Sequence, residues 1–124
     1  MQFNNFDWAD SQIEEIFIKY DELTMKIHND TLDNDVLVIC DKFAGITNLC
    51  IWDDTDIDYA KIEEADEKSE FYNTIIKAYT YTDGSLDTTN ENRTLSNGLK
   101  KLSIKLTNGI ICEIYCQSVD VQIL

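Results

Sequence analysis

The strongest constraint on what this chain can fold into is an alternation near its C-terminal end. Leu102, Ile104 and Leu106 alternate with Ser103, Lys105 and Thr107, the two-residue period of a strand with one buried face. Asn108-Gly109 follows, the strongest short-range hairpin signal. Ile110, Cys112, Ile114 and Cys116 then alternate with Glu113 and Tyr115. A two-residue turn would set Lys105 opposite Cys112 and put Glu113 on the leucine face. A three-residue loop, Thr107-Asn108-Gly109, pairs Leu106 with Ile110, Ile104 with Cys112 and Leu102 with Ile114, so that one face is wholly apolar. A one-residue slip flips every side chain, so the second register is expected, with Gly109 in the left-handed position of a bulge. After Cys116 the apolar parity shifts to Val119, Val121 and Ile123. A turn at Gln117-Ser118 accounts for this and predicts a C-terminal three-stranded β-meander.

Upstream, the same period recurs. Phe3, Phe6 and Trp8 open the chain among polar residues and predict an ordered lead-in, with Trp8 and Trp52 in the core. Residues 11–20 read as a strand, Asp21-Glu22 as a turn, and Leu23, Met25 and Ile27 as the next strand. After a polar loop over residues 29–34 comes the unbroken run Val36-Leu37-Val38-Ile39-Cys40, expected of a central strand buried on both faces. Gly45 marks a turn, residues 46–52 a strand, and Ile57, Tyr59, Ala60 and Ile62 a less regular one. The period then becomes helical. Phe71, Tyr72, Ile75, Ile76 and Tyr79 predict one inserted α-helix over about 67–80, capped by Asp66 or Ser69, with its apolar face toward the core. Residues 82–97 are a polar loop. With no repeat and no boundary, residues 1–124 form a single domain of α+β class, mainly an antiparallel sheet of seven to eight strands.

Charge is the second constraint. The chain carries a net charge of −14, and half of it lies in residues 53–70, which hold nine acids against two lysines. Residues 1–35 have the same balance, and the remainder is neutral. Such a surface repels nucleic acid and anionic membrane and attracts basic proteins. Asp53, Asp54, Asp56, Asp58, Glu63, Glu64, Asp66 and Glu67 are accordingly the expected partner-binding residues. The same run fails as a calcium loop. Starting at Asp54, position six is Tyr59 rather than glycine and position twelve is Ala65; starting at Asp53, positions three and five are Thr55 and Ile57. No metal or cofactor is expected.

Nothing points to catalysis. There is one histidine, His28, on the polar side of a strand, one arginine, Arg93, and four unclustered glycines. No serine sits in a nucleophile elbow. The chain is read as a non-enzyme. Cys40, Cys50, Cys112 and Cys116 form no Cys-x-x-Cys pair and read as small buried hydrophobes. No apolar run approaches a membrane span and no signal segment is visible, so a cytoplasmic location is expected.

Trp8-Ala9-Asp10-Ser11-Gln12-Ile13, leading into a strand, resembles the opening of small immunity proteins of bacterial polymorphic toxin systems. Gly45-Ile46-Thr47-Asn48-Leu49 and Glu113-Ile114-Tyr115-Cys116-Gln117-Ser118-Val119 look similar to later parts of such chains. The resemblance implies a cytoplasmic protein that binds and neutralises a basic toxin such as a nuclease, negative charge filling the groove meant for phosphate. Alternatives are a DNA-mimic inhibitor of a defence nuclease or DNA-binding protein, a scaffold domain with no inhibitory role, and a small-molecule binding module. Monomer and homodimer are both compatible with the sequence.

Overall fold

The computed structural model describes residues 2–48, 55–78 and 99–124. Within them the eight strands form two four-stranded antiparallel sheets, not the single sheet expected, and the two share one core. The first has the order β1-β2-β3-β8, with β1 at Gln12–Lys19, β2 at Glu22–Asn29, β3 at Asn34–Asp41 and β8 at Ser118–Ile123. The second has the order β4-β7-β6-β5, with β4 at Gly45–Ile46, β5 at Ile57–Glu64, β6 at Lys100–Leu106 and β7 at Ile111–Cys116. A 3₁₀ turn at Phe3–Asn5 precedes them, and a short helix, α1, spans Glu70–Ala78.

The β6–β7 hairpin has the register that an apolar face requires. Ile104 faces Cys112, Leu102 faces Ile114, and the Leu106 N–H donates to the Ile110 carbonyl at 2.9 Å. Gly109 takes φ +91°, where a side chain would be strained. Leu102, Ile104, Leu106, Cys112, Ile114 and Cys116 point inward against Leu23, Met25, Ile27, Val36, Val38 and Val121 of the first sheet. Burial of these twelve side chains, at roughly 1.5–3 kcal/mol each, is the main stabilisation of the fold. The lead-in closes one end of this core. Trp8 stacks on Phe3 at 4.5 Å and on Phe6 at 5.2 Å, and its indole N–H donates to the Phe3 carbonyl.

Several expectations are corrected. There is no C-terminal meander: β8 leaves the hairpin's sheet and pairs with β3, Val38 opposite Val121. The physical reason lies in the parity shift itself. The two sheets face each other, so a strand crossing from one to the other must exchange its odd and even faces to stay apolar-side inward. Gln117 makes that crossing, its N–H donating to the Asp41 carbonyl at 2.9 Å. The β1–β2 turn is Tyr20-Asp21, one residue earlier than expected, since Lys19 pairs with Glu22 and Tyr20 adopts φ +56°. β3 is central but buried on one face only: Val36, Val38 and Cys40 are inward, while Leu37 and Ile39 are half-buried outside. Gly45 lies in β4 rather than in a turn, and the turn before it is at Lys42 with φ +53°. The strand expected over residues 46–52 is described only to Asn48, and Cys50, Trp52 and the loop over residues 82–97 lie outside the described residues.

The helix begins later than residue 67. Ser69 caps it, its hydroxyl accepting from the Tyr72 N–H at 3.0 Å, so helical geometry starts at Glu70. Tyr72 and Ile75 pack with Leu99 and Tyr115 on the outer face of the second sheet, a small cluster apart from the main core. No helix among the described residues is long and apolar enough to cross a membrane.

Candidate functional site

The expected acidic strip is divided by the fold. Asp53 and Asp54 lie outside the described residues. Glu63 and Glu64 stand near the end of β5, and Asp66 and Glu67 follow it; Asp56 and Asp58 stand at its start. An eight-residue strand is roughly 25 Å long, so these groups sit at opposite ends of the sandwich.

Antiparallel pairing sets lysines of β6 against the β5 acids. Glu64 lies opposite Lys100 and Glu63 opposite Lys101. Glu64 is ion-paired to Lys100, and Lys101 lies 3.2 Å from Glu63 and 3.4 Å from Glu113. Burial opposes the charge on Lys101, yet hydrogen bonds and attraction from these two acids hold its pKa above the ordinary value. Lys105 also approaches Asp58, at 3.9 Å. This edge is therefore a ladder of compensated charge.

The start of β5 is different because it meets the start of β1. The Ile57 N–H donates to the Ser11 carbonyl and the Asp10 N–H to the Ile57 carbonyl, both at 2.8 Å. These two bonds tie the sheets together and bring Asp10 beside Asp56. The Asp56 side chain accepts from the Gln12 amide at 2.8 Å. The β2–β3 loop joins the same end: the Asp30 N–H donates to the Ser11 hydroxyl, and the Thr31 hydroxyl donates to Asp7. Asp7, Asp10, Asp30, Asp33 and Asp56 thus converge from three separate segments, and no lysine pairs with any of them among the described residues.

Asn29 holds this end in shape. It is 1% exposed; its amide donates to the Asp7 carbonyl and its side-chain oxygen accepts from the Leu32 N–H, both at 2.9 Å. Between the lead-in, this loop and β8 opens a cleft of about 470 Å³, walled by Phe6, Leu32 and Ile123 with Asp7, Asn29 and Thr31 beside them. Its volume falls within the range of ligand pockets, roughly 300–1,000 Å³.

A second polar cluster lies around the corner, on the outer face of the first sheet. His28 Nδ1 is 2.9 Å from Asp35, and its Nε2 is 3.4 Å from Asp33. The hydrogen bond to Asp35 raises the pKa of His28, against the opposing effect of burial, and lowers that of Asp35. Glu14, His28 and Asp35 are close enough together to suggest a metal site. However, the Lys26 ammonium lies 3.6 Å from both Glu14 and Asp35, so the protein supplies the cation of this cluster itself.

Asp7, Asp10, Asp30 and Asp33 are members of the site that sequence reasoning did not single out. Their signal was the net charge of residues 1–35, which matches that of residues 53–70; what joins them to Asp56 is a backbone contact between residues 11 and 57. Cys40, Cys112 and Cys116 are buried free thiols, as their strand positions implied. No protein-family model matches the chain, and a search of curated proteins returned no significant match.

Proposed function

We propose that this protein is an acidic protein-binding module that captures a basic protein at the loop end of its sandwich, in the manner of an immunity protein neutralising a toxin such as a nuclease. The observation that carries the reading is the convergence of Asp7, Asp10, Asp30, Asp33 and Asp56, none of them paired with a lysine among the described residues, beside an apolar cleft. Carboxylates of this kind speed association with a cationic surface, and the cleft offers a seat for one apolar anchor, the feature that concentrates binding energy at interfaces. The binding surface is compact and confined to one end. A DNA mimic needs carboxylates spaced along an extended strip, and the β5 edge, where such a strip would run, is laced with lysines.

The reading is tested by capture from the source cell on tagged protein at low and moderate salt, read by mass spectrometry. One stoichiometric basic protein, lost as salt rises, is the expected result. Recovery of only acidic or neutral proteins, unaffected by salt, refutes it.

A further inference from the structure

Beyond capture of a basic protein, the first sheet carries a surface of a different kind. β1 is one of its two edge strands, and open edges are normally guarded by charge, proline or bulges. The β5 edge of the other sheet follows that rule with Asp58, Lys61, Glu63 and Glu64. β1 does not. Its one irregularity lies at its start, between Ile13 and Glu15, and the stretch beyond it exposes Phe17 at 57% and Ile18 at 48%. Phe17 projects on the outer face beside Thr24, where Leu37 and Ile39 of β3 add apolar surface.

This stretch, Glu15-Ile16-Phe17-Ile18-Lys19, is symmetric in character and antisymmetric in charge. We propose that two copies of this chain join through antiparallel β1–β1 pairing centred on Phe17, so that two four-stranded sheets become one continuous sheet. In that register Glu15 of each copy stands opposite Lys19 of the other, Ile16 stands opposite Ile18, and the two Phe17 rings meet on the outer face. Opposite residues in an antiparallel pair share a face, so only registers shifted by whole steps compete. Centring on Ile16 sets Glu15 against Phe17, centring on Ile18 sets Lys19 against Phe17, and centring on Glu15 sets like charges together. Only the Phe17 register pairs opposite charges twice. Within one copy Glu15 stands opposite Lys26 and Lys19 opposite Glu22, yet neither closes to ion-pair distance among the described residues, which leaves both free to turn toward a second copy; the Lys19 ammonium lies 5.8 Å from the Tyr20 ring.

A charge-swap series read by sedimentation equilibrium tests the pairing. Wild-type protein should dimerise at micromolar concentration in low salt. Lys19→Glu places like charges opposite each other twice, where the wild type has two attractive pairs, and should weaken the dimer about tenfold. Glu15→Lys combined with Lys19→Glu should restore it. The double variant keeps the altered residue beside Glu22, so recovery excludes misfolding as the cause of the loss. Protection of the β1 amides from hydrogen exchange should rise with concentration in the wild type and in the double variant alike. A wild type that stays monomeric at every accessible concentration overturns the proposal, as does a dimer indifferent to Lys19→Glu or not restored by the swap.

Discussion

Replacing Asn29 by alanine should loosen the loop end without touching a single carboxylate. Asn29 is buried and makes two hydrogen bonds, one to the Asp7 carbonyl and one from the Leu32 N–H. Each such bond contributes about 1 kcal/mol net, and partners left without a replacement add to the loss. The alanine variant should therefore be destabilised by about 2–3 kcal/mol. For a chain of this size that is a fall in melting temperature of roughly 6–12 °C. Differential scanning calorimetry measures it directly. The Leu32 amide, released from its acceptor, should also exchange with solvent about tenfold faster or more. A fall of less than roughly 2 °C, with Leu32 exchange unchanged, would show that Asn29 does not hold the lead-in to the β2–β3 loop. The geometry assigned to the acidic end would then be wrong.

Other consequences follow from single residues. Asp35 raises the pKa of His28 above its ordinary value of 6.5, mainly through their hydrogen bond; the stabilisation from protonated His28 is full below about pH 6.5 and is lost as pH rises through the folded value. Asp35, lowered from 3.8, loses its own contribution as pH falls through its folded value. Melting temperatures of the wild type should therefore decline more than those of His28→Gln between about pH 6.5 and 8, and parallel curves would contradict this. Hydrogen bonding to Cys116 and burial push the Cys40 thiol far up, and burial pushes Cys112 up to about 12. In a Cys50→Ser background, alkylation at pH 8 should leave both unmodified in native protein and label both in denaturant; native labelling would place them nearer the surface. Gly109 has φ +91° and open space around its Cβ position, so Gly109→Ala should cost about 1 kcal/mol through backbone strain alone, measurable as a shift in urea midpoint. Equal midpoints would remove the left-handed turn.

The hairpin was legible because two independent signals agreed there. Asn108-Gly109 supplied a turn, and only one register left Leu102, Ile104 and Leu106 on the face of Cys112 and Ile114. Trp8 was legible because an aromatic cluster within eight residues has to pack somewhere, and the core beside β1 was adjacent in sequence. The crossing at Gln117 was not legible. A parity shift has the same appearance whether the chain turns back on its own sheet or passes to the facing one, and only the partner strand, β3, distinguishes the two. Likewise the acids of β5 gave no sign of being compensated, because Lys100 and Lys101 are supplied by a strand more than thirty residues away. Net charge counts residues along the chain, whereas an interaction surface depends on which strand ends adjoin. Asp10, Ser11 and Ile57 decide that here, through two backbone hydrogen bonds that no side-chain pattern announces.

The most direct test compares two ways of removing the same amount of charge. One variant neutralises the loop end, with Asp7→Asn, Asp10→Asn, Asp30→Asn and Asp33→Asn. The other neutralises the far end, with Glu63→Gln, Glu64→Gln, Asp66→Asn and Glu67→Gln. Both change the net charge equally, and asparagine suits the positive φ angles of Asp10 and Asp33. Association with the captured basic protein, followed by stopped flow at low salt, should slow about tenfold or more for the loop-end variant and stay within about twofold of wild type for the far-end variant. Equal slowing in both would mean that overall charge, not the assembled loop end, draws the partner, and slowing in the far-end variant alone would move the binding surface to the β5–β6 ladder.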